Sequence, residues 1–215
     1  MKILFSGNKY NPNDYIAKIV DYAVEARRKG LLALENKAEQ EEDNFLKSCI
    51  LLIVDAIEPE KARDILENEL DCLESRHAEG WGLYEKMATF APAFGMIGTL
   101  IGLINMLKGL GDLGSGDAAN GLGQGMSVAL ITTFYGSLLA NLIFMPICNK
   151  LKAKHSQEIL CKQLVVDGIL DIHAGTNPRH IEEKLKAYVA NYERASLGGE
   201  EGESGGKKKK KKKEK

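Results

Sequence analysis

Acidic and basic side chains are missing altogether from two stretches of this chain, Met87 to Leu107 and Ala118 to Asn149. Charged residues make up 27% of the 215 residues, and nearly all of them crowd into 1–86 and 150–215. Each uncharged stretch exceeds the roughly 18 residues that mark a candidate membrane span. The 44% hydrophobic average would suit an ordinary soluble domain, so the distribution carries the information and the mean does not. Cysteine is scarce as well. Cys49, Cys72, Cys148 and Cys161 are far apart and form no C-x-x-C pair, which points away from a disulfide framework or a zinc site and toward reduced structural thiols. The four histidines, His77, His155, His173 and His180, have no metal-ligand spacing, and neither a nucleophile elbow nor a phosphate loop is present. No enzyme chemistry, metal or cofactor is expected. The Ile3 to Phe5 apolar run is too short for a signal peptide, so insertion would use the internal spans.

What is present reads as helix. Ile16, Ile19, Val20, Ala23, Val24, Leu31 and Leu34 recur at helical spacing, predicting a helix or helix pair from Asp14 to about Lys37, capped by Asn13 or Asp14 and weakened at Gly30. The Cys49 to Val54 run is apolar but too short for a bilayer, so Asp43 to Ile57 reads as a packed core helix. Pro59 suits a helix's first turn, and the acid-rich segment up to Glu74 reads as a solvated helix leading toward the first span. Beyond the second span, Ile159, Leu160, Leu164, Val165, Ile169, Leu170 and Ile172 continue the helical pattern. Gly175-Thr176-Asn177-Pro178 breaks it, and a short helix restarts over Arg179 to Arg194. The tail 196–215 holds eight Lys against four Glu and almost nothing apolar, a composition expected to stay disordered.

The fold class expected is an all-α membrane protein with two transmembrane helices and long helices extending into a cytoplasmic helical domain. The segments expected are a cytoplasmic region 7–86, a span 87–107, an outer loop 108–123, a second span 124–148 and cytoplasmic helices 149–195. Lys86 and Arg76 flank one span, and Lys150, Lys152 and Lys154 the other. The connecting loop holds Asp112 and Asp117, so the positive-inside bias puts both large polar regions in the cytoplasm. Gly121 to Gly125 reads as a flexible entry turn.

Both spans are studded with small residues. Ala91/Gly95 and Gly98/Gly102 are small-x-x-x-small steps, and Ala129, Thr133, Ser137 and Asn141 fall at four-residue intervals, patterns that let helix backbones approach closely in lipid. Thr99, Thr132, Thr133, Ser137 and Asn141 fit two roles: hydroxyls and an amide along a partly hydrated cation path, or interhelical glue alone. Neither span carries a carboxylate, which proton relays normally require, so a partner must bring it. Pro92 and Pro146 lie near the cytoplasmic ends of the spans, fitting either a hinge or a span boundary.

The string Ala91-Pro92-Ala93-Phe94-Gly95-Met96-Ile97-Gly98-Thr99-Leu100-Ile101-Gly102-Leu103 resembles the third span of MotA and PomA flagellar stator proteins. Ala129-Leu130-Ile131-Thr132-Thr133-Phe134-Tyr135-Gly136, with Ala140 to Phe144 and Pro146, resembles their fourth. Gly175 to Arg179 and Arg27 to Glu35 extend the resemblance over about residues 5–194. It implies a multi-pass protein of the bacterial inner membrane, a homopentamer around a dimer of MotB-type subunits whose aspartate accepts the ion, H+ or Na+. Ion passage would turn the ring against FliG of the rotor. By motif, Pro92 and Pro146 match prolines of conformational coupling, Thr99 and Thr133 match threonines near the ion path, and Arg27 and Glu35 match a charged pair meeting FliG. The family begins with two further spans, and residues 1–6 match the foot of the second, so the chain is expected to lack them. A TolQ/ExbB-like energy-transducing subunit shares the threonine-bearing spans, but the Arg27 to Glu35 block and the Pro146 region fit MotA better. Lys207 to Lys213 fits either solvated disorder or contact with anionic lipid. Nothing supports nucleic-acid binding.

Overall fold

A computed structural model describes residues 10–111 and 118–189, with the side chains of 110, 111 and 118–120 left aside. The expected foot of a missing span at 1–6, the loop residues Asp112 and Asp117, and the Lys-rich tail lie outside the described residues. Among the described residues every regular element is helical. In chain order they are α1 (Pro12–Lys29), a 3-10 turn (Leu31–Leu34), α2 (Glu35–Gln40), α3 (Asn44–Val54), α4 (Pro59–Gly111), α5 (Ala118–Leu138), a π-helical segment (Leu139–Phe144), α6 (Met145–His173), α7 (Pro178–Leu185) and a final 3-10 turn (Lys186–Tyr188).

The described chain divides into two compact units, one of Tyr10 with 64–162, the other of 11–63 with 163–189. The first is dominated by α4, α5 and most of α6. α4 and the run from α5 into α6 are long and apolar enough to cross a membrane. Their outer surfaces are greasy: Phe94 is 69% exposed, Met96 66%, Leu130 63% and Leu142 68%. So much exposed apolar area marks a surface that water does not cover. The Gly121 to Gly125 segment, expected as a turn, is part of α5. Of its glycines, Gly125 belongs to the helix packing described below.

The second unit has the ordinary core of a water-facing domain. Ile16 and Ile19 of α1, Leu46 and Ile50 of α3, Leu164 and Ile169 of α6 and Ile181 of α7 are at most 2% exposed. Local chemistry sets the ends of these helices. Asn11, not Asn13 or Asp14, caps α1, its Oδ1 accepting from the Asn13 amide at 3.2 Å while Pro12 occupies the first turn. The correction follows from proline itself, whose missing N–H costs nothing in a first turn. Asp43 caps α3 by accepting from the Phe45 amide at 3.0 Å. The expected restart after Gly175 begins one residue earlier, at Pro178, with Asn177 accepting from the Arg179 amide at 3.2 Å.

α1 ends at Gly30, whose φ of +87° and ψ of 166° lie in a region that only glycine occupies at low cost. The chain there turns back, and α2 is tied to α1 by Lys37, which reaches Asp21 at 2.5 Å and Glu25 at 2.6 Å; Lys29 holds Glu25 from the other side at 2.9 Å. These two lysines hold the Glu25 carboxyl down to about 2, the Lys37 contact contributing most. A Cβ at Gly30 would meet nothing within 4 Å, so a Gly30→Ala substitution tests backbone strain alone. It should destabilise this unit by about 1–3 kcal/mol, read as faster hydrogen exchange in α1 and α2 with the core of α3 less affected.

Candidate functional site

Between α4 and α5 the backbones come into contact, and glycine makes it possible. A Cβ added at Gly98 would lie 2.5 Å from the Thr132 Cβ and Oγ1, and one at Gly102 2.6 Å from the Gly125 carbonyl oxygen and 2.7 Å from the Ala129 nitrogen. From the other side, a Cβ at Gly125 would lie 2.8 Å from the Gly102 carbonyl oxygen, and one at Gly136 2.8 Å from that of Ala91. Gly95 stands 3.0 Å by the same measure from the Thr132 carbonyl oxygen. Without a hydrophobic drive between helices in lipid, such backbone contact is where association energy comes from.

The hydroxyls are organised around this seam. Thr99 Oγ1 donates to the Met96 carbonyl at 2.6 Å, Thr133 Oγ1 to Ala129 at 3.1 Å, and Thr132 Oγ1 sits 3.0 Å from the carbonyls of both Val128 and Ala129. Each spends its proton on its own helix, so what it can offer a neighbour is an oxygen lone pair. That chemistry suits a cation and not an anion. Thr132 is half-buried against Gly98 and lines an apolar groove of about 590 Å³ with Phe90, Phe94, Gly95, Tyr135 and Phe144. Thr133 and Ser137 are exposed, one turn apart, and Thr99 is half-buried. Of the four, only Thr132 lines this groove.

The two prolines behave differently. Pro92 is exposed within α4, which continues through it to Gly111. Pro146 lies two residues past the π-helical segment, at whose end the Met145 amide donates to the Ala140 carbonyl, five residues back. A proline without an N–H cannot continue the four-residue ladder, and a wider turn is one way a helix absorbs that loss. Asn141, inside the segment, donates its side-chain amide to the Ser137 carbonyl at 3.0 Å. The sequence left a hinge and a span boundary both open at Pro146; the wider turn preceding it carried no separate signal.

In the other unit, Arg27 and Glu35 stand on either side of the Gly30 turn, both exposed, with Arg28 alongside. Among the described residues Lys29, Lys37, Asp21 and Glu25 neutralise one another, whereas Arg27, Arg28 and Glu35 form no ion pair. A residue group that spacing could not reveal is His77 with His155, 78 positions apart in sequence, whose Nδ1 atoms meet at 3.0 Å.

Residues 37–164 match the model of the MotA/TolQ/ExbB proton channel family. The chain belongs to this family. Motility protein A of Borreliella burgdorferi is 41% identical over 200 residues, 91% of this chain and 75% of that relative. Chemotaxis protein PomA of Vibrio alginolyticus is 42% identical over 185 residues, 86% and 70% respectively. Among solved structures, the flagellar MotAB stator complex from Bacillus subtilis superposes with a TM-score of 0.81 at 33% identity, covering 92% of this chain and 76% of that one. The all-helical membrane fold expected from the charge-free stretches is therefore that of a MotA-type protein.

The seam predicts its own sensitivity. Gly102→Val forces side-chain atoms into the backbone of α5 and should destabilise the helix pair by about 1–3 kcal/mol, as overpacking does. Gly123→Ala is the control, since nothing lies within 4 Å of a Cβ there. Thermal aggregation of the lipid-reconstituted protein should shift for the first and stay put for the second.

Proposed function

We propose that this chain is the A-type subunit of a flagellar stator, which forms an ion channel with a MotB-type subunit and converts ion flow into rotation of the motor. The observation that carries the reading is the likeness to a MotAB stator complex over 92% of the chain. It is supported by an exposed pair of apolar helices bearing hydroxyls but no carboxylate at membrane depth. The ion-accepting acid then comes from the B subunit, and a homopentamer of this chain surrounds it. The membrane is the bacterial inner membrane, crossed here by about 87–107 and 124–148, with 7–86 and 149–195 in the cytoplasm.

In this reading Thr99, Thr132, Thr133 and Ser137 present oxygen lone pairs along the cation's path. Thr133 and Ser137, being exposed, face the partner. Pro92 and Pro146 transmit the change of helix shape, Pro146 through the π-helical segment beside it. Arg27 and Glu35 meet FliG. Their lack of an ion-pair partner among the described residues leaves both charges available to another protein, with strength limited by salt screening.

Three measurements test this. Glu35→Lys should reduce swimming strongly, and a compensating charge reversal in FliG should restore it; undiminished swimming of the single variant removes the rotor-contact assignment. Co-purification should recover a MotB-type and not a TolR-type partner, and swimming speed recorded against external sodium with a protonophore control assigns the ion. Motility independent of both gradients is incompatible with the channel.

A further inference from the structure

His77 of α4 and His155 of α6 meet with their Nδ1 atoms 3.0 Å apart and their rings nearly perpendicular, the centroids 5.2 Å apart. Trp81, one turn along α4 and the only tryptophan in the chain, packs on His155 with centroids 4.7 Å apart. Both histidines are half-buried. An Nδ1···Nδ1 hydrogen bond needs one ring to donate and the other to accept. Proton counting then gives three states. With both rings neutral the bond stands. A first added proton can go to an Nε2, leaving the Nδ1–H···Nδ1 bond intact and charge-assisted. A second puts a proton on each Nδ1 at once, which removes the acceptor and sets two positive charges against each other.

We propose that His77 and His155 form a proton-binding clasp between α4 and α6 that holds through the first proton and opens on the second. The surrounding charges fit such a device. Glu74 on α4 and Glu158 on α6 favour protonation of His155, while burial, the larger effect, and the His77 charge oppose it, so His155 lies below the ordinary histidine value of 6.5. Glu158 is itself shared, accepting from the Tyr10 hydroxyl at 3.0 Å and pairing with Lys162 at 3.6 Å. Toward the apolar segments, Lys152 and Glu85 pair at 3.0 Å. The sign follows from the direction: burial and the His77 charge hold His155 below 6.5, so the clasp stays closed at and above that value and opens only as pH falls below it and the second proton binds.

The helix at this point is built to give. Gly80 and Gly82 flank Trp81 inside α4, and a Cβ at either would meet nothing within 4 Å, so neither glycine serves packing. Each lowers local helix stability relative to alanine. A proton-driven loss of the cross-helix contact therefore acts on a soft segment of α4. The clasp requires only the two-helix geometry, so it stands or falls apart from the stator reading.

Trp81 is a built-in reporter, because an imidazolium in ring contact quenches indole emission. The full chain in lipid nanodiscs should lose tryptophan emission as pH falls from 8 to 5. His155→Gln should abolish the transition, and His77→Gln should move its midpoint to higher pH by removing the opposing charge. A flat wild-type profile, or an unchanged midpoint in His77→Gln with helix content retained, overturns the clasp. Should a variant fail to fold, 15N-histidine NMR of the wild-type chain decides. Two coupled steps shared by both rings support the clasp, and two independent single-site curves overturn it.

Discussion

Backbone contact between α4 and α5 is the constraint on which the membrane part of this protein depends. At Gly98, Gly102, Gly125 and Gly136 there is no room for even one methyl group. A seam of this kind has consequences beyond stability. It turns the large side chains, Phe94, Leu100, Leu130 and Phe134 among them, away from the partner helix and onto the outside, where lipid or another subunit must cover them. It also sorts the hydroxyls. Thr132 is held at the seam, while Thr133, the next residue and about 100° further around the helix, is exposed.

The other unit works on opposite terms. Its core is closed and largely aliphatic, and the charges around the Gly30 turn divide into a paired set and a set that forms no ion pair among the described residues. Lys37 occupies both Asp21 and Glu25, and its ammonium also stands 5.2 Å from the centroid of the Tyr22 ring. That network fixes the turn's geometry without using Arg27 or Glu35. A rigid support with uncommitted charges at its edge is what a salt-sensitive protein contact calls for.

Much of this was legible in the sequence, for identifiable reasons. Charge-free stretches and four-residue small-residue spacing are one-dimensional signals, and they correspond to the apolar helices and the glycine seam. The Gly175 to Pro178 break and the weak point at Gly30 are chemical signals of the same local kind. What failed was whatever depended on partners distant in sequence. The glycines at 121–125 look like a turn in isolation, because only Gly102 and Met106 across the interface explain why Gly125 must be small within a helix. The start of α1 was misplaced by two residues because asparagine and aspartate near a helix start compete, and the fixed φ of Pro12 settles the competition in favour of Asn11. The contact of His77 with His155 had no sequence signature at all.

The absence of carboxylates at membrane depth bears on mechanism as much as on partner choice. A cation crossing the hydrocarbon core needs compensation that neutral hydroxyls cannot supply alone, since each threonine here already donates its hydroxyl hydrogen to a backbone carbonyl and contributes only a partial charge. Oxygen lone pairs of this kind are better suited to smoothing a path between deeper wells than to forming the well. On the proposed reading, the full negative charge then resides on the B subunit, and this chain sets how closely that charge is surrounded. A carboxylate fixed in this chain would bind the ion in every subunit of a ring at once. Borne by the partner, it engages the ring's hydroxyls at one place and leaves them elsewhere, an asymmetry that rotation between the two components requires.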